Sequence, residues 1–115
     1  MNLLKQLCLC LAIFYLFNGS PFAFEHGDSN VHFHVYNRNI IQENRKQKKP
    51  YFLLFAAEWC HWCHIFAEKT LAHKKVYSYL NKNFVNIFID ADIHSGAYKK
   101  FKANGVPYIV FLNPD

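Results

Sequence analysis

Reactive chemistry in this sequence concentrates on two cysteines, Cys60 and Cys63 of the run Trp59-Cys60-His61-Trp62-Cys63-His64. A Cys-x-x-Cys pair can close and reopen as a disulfide, bind a soft metal or anchor haem. Residues 51–57 (YFLLFAA) form a short apolar run just before it and after Pro50. Such a run reads as a strand buried on both faces. Helical spacing begins at the cysteines, so the pair stands at a strand-to-helix junction. Cys60 then occupies the helix N-terminus, and Cys63 lies one turn inside. The unpaired N–H groups and partial positive charge of a helix start favour a thiolate. Cys60 is therefore expected to attack a disulfide, and Cys63 to resolve the mixed disulfide that forms. A protonated His61 would stabilise the Cys60 thiolate further and make the couple more oxidising. Trp59 and Trp62 flank the pair and offer an apolar surface for partner chains.

The other cysteines, Cys8 and Cys10, fall in an 11-residue apolar run, residues 7–17 (LCLCLAIFYLF). Lys5 precedes this run, and the small, turn-prone segment 18–23 (NGSPFA) follows it. The pattern reads as a secretory signal over residues 1–23. The run is shorter than the roughly 20 residues a spanning helix needs. Pro21 fits the cleavage pattern poorly, which leaves an uncleaved membrane anchor as the alternative. Once the signal is set aside, Cys60 and Cys63 are the remaining cysteines. The expected location is periplasmic or secreted, where disulfides form and persist.

With 115 residues there is room for one domain. Over half the residues are hydrophobic and 18% are aromatic, which excludes a disordered chain. The net charge of +5 comes largely from two clusters, Arg45-Lys46-Lys48-Lys49 and Lys99-Lys100-Lys102. Few aromatics interleave them, so they read as solvated helix faces, and no nucleic-acid partner is expected.

A polar lead-in, residues 24–30, precedes the domain at 31–115. Residues 31–36 (VHFHVY) alternate with period two and read as a strand. Asn37 is a plausible N-cap for a helix reaching about Lys49, where Pro50 stops it. The cysteine helix is expected to run to Asn81, bending near residues 71–73. Residues 84–89 (FVNIFI) read as a strand, 95–103 as a short helix ended by Gly105, and 108–112 (YIVFL) as a strand. The order β-α-β-α-β-α-β predicts an α/β sheet with helices on both faces.

From about Tyr51 onward the chain resembles the thioredoxin superfamily. The resemblance rests on Phe55-Ala56-Ala57-Glu58-Trp59-Cys60-x-x-Cys63, on Ile87-Phe88-Ile89-Asp90, and on Gly105-Val106-Pro107 before the last strand. Residues 79–85 (YLNKNFV) add similarity to exported thioredoxin-related proteins and to reductase modules of disulfide-interchange systems. The resemblance implies a mixed central sheet flanked by helices and a thiol–disulfide oxidoreductase acting on protein thiols and disulfides. It also implies a cis Pro107 facing the cysteines, with Val106 offering backbone hydrogen bonds to substrate. A membrane redox partner that feeds electrons is compatible with it. Two departures stand out. Thioredoxins carry a buried acid six residues before the first cysteine, where this chain has Leu54, so Glu58 or a water would have to accept the proton. The fold also needs one more antiparallel strand and a closing helix after the Pro107 strand, so the domain reads as C-terminally incomplete.

Two rival chemistries use the same residues. Cys60-His61-Trp62-Cys63-His64 satisfies the attachment signature of c-type haem, with His64 as proximal ligand. Alternatively, Cys60 and Cys63 with His61 or His64 could bind zinc or copper(I), with His32 and His34 contributing. The strand-rich pattern and Pro107 argue against haem, and the lack of a second Cys-x-x-Cys argues against a closed zinc site. No cofactor is expected, since no phosphate-cradling Gly-rich loop or nucleotide motif is visible.

Overall fold

A strand covered on both faces has no solvated side for polar residues, and strand β2, Tyr51–Ala56, is buried at every position. Tyr51, Leu53 and Phe55 enter one core cluster, while Phe52, Leu54 and Ala56 enter the other. β2 pairs in parallel with β3, Val85–Asp90, and antiparallel with β4, Tyr108–Leu112. A short strand β1, Phe33–Val35, joins the far side of β3 in parallel. The sheet order is β1-β3-β2-β4. This computed structural model describes residues 2–3 and 30–115. Apart from Asn2, Leu3 and Asn30, the signal segment and lead-in, with Cys8 and Cys10, lie outside the described residues.

Helices cover the two faces separately. Helix α1, Ile40–Asn44, and helix α4, Ser95–Lys100, contribute Ile40 and Ala97 to the cluster around Tyr51, Leu53 and Phe55. Helix α2, His61–Phe66, and helix α3, Lys74–Asn83, cover the opposite face, with Cys63 and Leu80 in the second cluster. The mixed sheet flanked by helices is the expected architecture. Among the described residues no helix is long and apolar enough to cross a membrane.

Several boundaries differ from the sequence expectations, each for a local reason. Strand β1 is shorter than residues 31–36. Its approach is instead held by Asn81, which accepts from the His32 N–H at 2.8 Å and donates to the Asn30 carbonyl at 2.9 Å. A side chain on α3 thus takes the place of a neighbouring strand. Asn37 does not cap α1 directly. Its Oδ1 accepts from the Asn39 N–H at 2.8 Å, a local turn that delays the helix to Ile40. α1 then tightens into a 3-10 turn, Arg45–Gln47, and ends on Lys48 in the left-handed region. The expected bend after α2 is a π-helical turn, Ala67–Leu71, followed by extended backbone at His73.

Helix α4 stops earlier than residue 103, and Gly105 does not end it. Lys102 takes the left-handed position at φ 55°. The N–H of Ala103 donates to the Tyr98 carbonyl, and that of Lys102 to the Lys99 carbonyl, both at 3.0 Å. This is the Schellman arrangement with lysine where glycine is usual. A side chain in that conformation costs roughly 1–2 kcal/mol, part of which glycine loses again in unfolded-state entropy. Lys102→Gly is therefore expected to raise stability by up to about 1 kcal/mol in denaturant unfolding. Gly105 has no positive φ and open space where a Cβ would stand. Gly105→Ala should accordingly be neutral or stabilising, whereas a terminator glycine would lose stability on that change.

Candidate active site

The loop leaving β2 carries Ala57, Glu58, Trp59 and Cys60 to the start of α2. Cys60 is the N-cap of that helix, with extended backbone at φ −80° and ψ 102°. Its Sγ accepts from the Cys63 backbone N–H at 3.1 Å, satisfying one of the helix's unpaired donors. The same sulfur is bonded to that of Cys63, with the two Cα atoms 5.2 Å apart. Cys60 and Cys63 are 4% and 2% exposed, so the disulfide is largely covered. The helix-start position expected for Cys60, and the inner position of Cys63, are what the structure has.

The floor beneath the pair is apolar. Leu54, Ala56, Ala57 and Leu71 share the buried cluster with both cysteines, and Val106 packs against it. The peptide bond between Val106 and Pro107 is cis and leads directly into β4. Glu58 is exposed, and its backbone carbonyl accepts from His64 Nε2 at 2.7 Å. His64 therefore clamps the loop ahead of the cysteines to the first turn of α2.

The rim, in contrast, is aromatic and open. Trp59 and Trp62 are 72% and 69% exposed, and His61 is exposed beside Trp62, their rings meeting edge to face at 5.5 Å. Trp59 is held from the side, its indole N–H donating to Asp92 Oδ2 at 2.8 Å. Asp92 lies on the loop from β3 to α4. Asp90 shapes that loop, its Oδ1 accepting from the N–H groups of Asp92 at 2.9 Å and Ile93 at 3.1 Å. Ala91 N–H donates to the Ala56 carbonyl at 2.9 Å, which ties the ends of β2 and β3 together. The sequence reading missed Asp90 and Asp92 as parts of the site. An Asp-x-Asp that begins on the last residue of a strand is the turn signal that points to such a loop.

The structure does not bring together the residues the metal reading needs. His32 and His34 lie at β1, on the edge of the sheet beyond β3, while the cysteines follow β2. Among the described residues no three His, Cys, Asp or Glu side chains converge as metal ligands. A haem ligand role would require His64 to give up its hydrogen bond to the Glu58 carbonyl.

A covered Cys-x-x-Cys disulfide at a helix start, with an open aromatic rim, is an arrangement that supports two-electron dithiol–disulfide chemistry. Comparison with known proteins agrees. Residues 15–115 match the thioredoxin-like DsbH family, described as a protein of unknown function, DUF255. The rat spermatogenesis-associated protein 20 is 26% identical over 103 residues. That match takes in 83% of this chain but 13% of the rat protein, so the chain spans a small part of that relative. A solved DsbH oxidoreductase superposes with a TM-score of 0.64 at 17% identity, over 75% of this chain and 67% of the other. A disulphide isomerase from Xylella fastidiosa Temecula1 is 26% identical, with a TM-score of 0.56 over 75% of this chain and 74% of its own. The first thioredoxin domain of mouse protein disulfide-isomerase A4 is 28% identical, with a TM-score of 0.55 over 83% of this chain and 71% of its own.

Proposed function

The chain belongs to the thioredoxin-like DsbH family, and from that premise we propose that it exchanges dithiol for disulfide with protein substrates through Cys60 and Cys63. The observation that carries the reading is Cys60 at the N-cap of α2, bonded to Cys63 one turn inside. In the reduced protein the Cys60 thiolate attacks one sulfur of a substrate disulfide. A mixed disulfide forms, and the first substrate thiolate leaves and takes a proton. Cys63 then loses its proton and attacks Cys60 Sγ, releasing the second substrate thiol. Two electrons have passed to the substrate, and the Cys60–Cys63 disulfide of the structure is the product. Run backwards, the same steps oxidise a client.

The other residues have roles consistent with this cycle. His61, exposed at the first turn of α2, tunes the couple by favouring the reduced form. Trp59 and Trp62 present the surface on which a substrate chain lies. Val106 and Pro107 supply the backbone edge that positions it. The compartment belongs to the same proposal. The apolar run at residues 7–17 and the two cysteines left after its removal support an exported, periplasmic or secreted protein, one that a membrane partner can recharge.

The test is catalysis with the full chain. A catalytic amount is expected to shorten the lag of insulin precipitation in dithiothreitol. An unchanged lag, with the cysteines verified as reduced, would remove the reading. A Soret band in the purified protein would replace it with haem chemistry.

A further inference from the structure

At the same end of the sheet as the redox pair, the carboxyl end of β1 and the start of α4 enclose a cleft of about 680 Å³, the size of a small-ligand site. Its walls include Tyr36, Arg38, Ile93, His94, Gly96 and Lys100, and no aspartate or glutamate lines it. Arg38 and Lys100 are both exposed there. Among the described residues neither engages a carboxylate. The acids nearest in sequence are already committed. Asp90 Oδ1 holds the loop N–H groups, and Asp92 Oδ2 holds Trp59. Lys100 Nζ lies over the Phe101 ring, 5.7 Å from its centroid, an exposed contact it can leave for an acid. Arg38 stands with it at an aromatic wall formed where the Tyr36 and His94 rings meet edge to face at 4.9 Å.

The cleft and the cysteines share one end of the sheet, because β1, β3 and β2 run parallel. Ile93, 67% exposed, forms part of its wall and directly follows Asp92, which holds Trp59, the neighbour of Cys60. The exposed side chains of Trp59 and Ile93, on either side of the Asp92 link, are the apolar surface between the two. β1 lies two strand spacings from β2, roughly 10 Å across the sheet, and an extended chain advances roughly 3.3 Å per residue, so about five residues suffice to span from Cys60 to the cleft.

We propose that this cleft binds a carboxylate side chain of the client, so that the protein selects disulfides with an Asp or Glu within about five residues of the attacked cysteine. The proposal rests on the thiol–disulfide reading and adds the substrate preference. Trp59 and Ile93 meet the chain near the cysteine, and Arg38 and Lys100 take the acid. One of the two basic clusters in the sequence thereby contributes Lys100 to recognition rather than to a merely solvated face.

The experiment uses the full chain and two synthetic disulfide peptides that differ by Glu against Gln at one flanking position. At low salt the Glu peptide is expected to show a KM lower by about five- to tenfold, with similar kcat. Arg38→Glu and Lys100→Glu should each erase that preference. Gly96→Asp should do the same by a different route, since nothing stands within 4 Å of a Cβ at that position. Lys75→Glu, on α3 across the sheet, makes the same change in net charge and should leave the preference intact. Turnover of neutral hydroxyethyl disulfide should be unchanged in all four variants. Equal KM for the two peptides, or an equal loss in Lys75→Glu, overturns the proposal while leaving the redox reading standing. Failure to reduce hydroxyethyl disulfide at all overturns the redox reading itself.

Discussion

Replacing Cys60 with Ser is expected to cut catalysed insulin reduction by at least about three orders of magnitude, to the rate of dithiothreitol alone. A serine hydroxyl carries no useful thiolate-like nucleophile at neutral pH, and Cys63 lies inside α2 rather than at its N-cap. Packing should survive the change, because serine can also accept the Cys63 N–H that now meets Cys60 Sγ. The loss is therefore chemical and not a collapse of the fold, which circular dichroism of the variant can verify. Cys63→Ser should behave differently. It keeps the attacking sulfur and loses the resolving one, so a client should accumulate as a mixed disulfide that survives non-reducing electrophoresis. Trapped clients on Cys60→Ser and none on Cys63→Ser would reverse the two roles.

Phe55→Ala is the substitution expected to cost the fold most, about 3–5 kcal/mol in urea unfolding. Phe55 is fully buried in the central strand, paired with Ile89 of β3 and Tyr108 of β4. Its ring meets Phe101 at 5.8 Å, Tyr108 at 6.0 Å and Tyr98 at 6.2 Å, so the vacancy would open between α4, its following turn and β4. Those elements are themselves fixed by the sheet and have little freedom to close the void. Set against a total stability of about 5–15 kcal/mol, such a loss leaves a domain of this size marginal. A shift in midpoint worth less than about 1 kcal/mol would show that this layer repacks readily.

The elements that position the cysteines could be read because their signals are local. An unbroken apolar run such as residues 51–57 announces a strand covered on both sides, and Cys60 follows it at a helix start. Leu54 was also visible as the residue standing where related proteins place an acid. What could not be read depends on partners far apart in sequence. The Trp59–Asp92 bond spans 33 residues, and the bond between His32 and Asn81 spans 49. Alternation in residues 31–36 marked a strand, but its usable length was set by Asn81 on another helix. The end of α4 escaped for another reason. Composition favours Gly105, while geometry placed the left-handed residue at Lys102, three positions earlier. The cleft at Arg38 and Lys100 is likewise a product of topology, since β1 and α4 meet there only once the sheet is assembled.

The apolar floor under the cysteines reaches beyond packing. Among the described residues no acid or histidine is buried; Asn86 is buried, and an amide does not serve as a base at neutral pH. With Leu54 in place of an acid, no buried carboxylate among the described residues stands ready to take the proton of Cys63 during resolution. The protein bases nearest that thiol in sequence, exposed Glu58 among them, stand at the mouth of the site beside the open tryptophans. Redox turnover and acid–base exchange with the surroundings thus share one doorway. On the proposed exchange, a client lying across the rim is the redox partner in either direction and, at the same time, decides which bases can reach the thiol behind it.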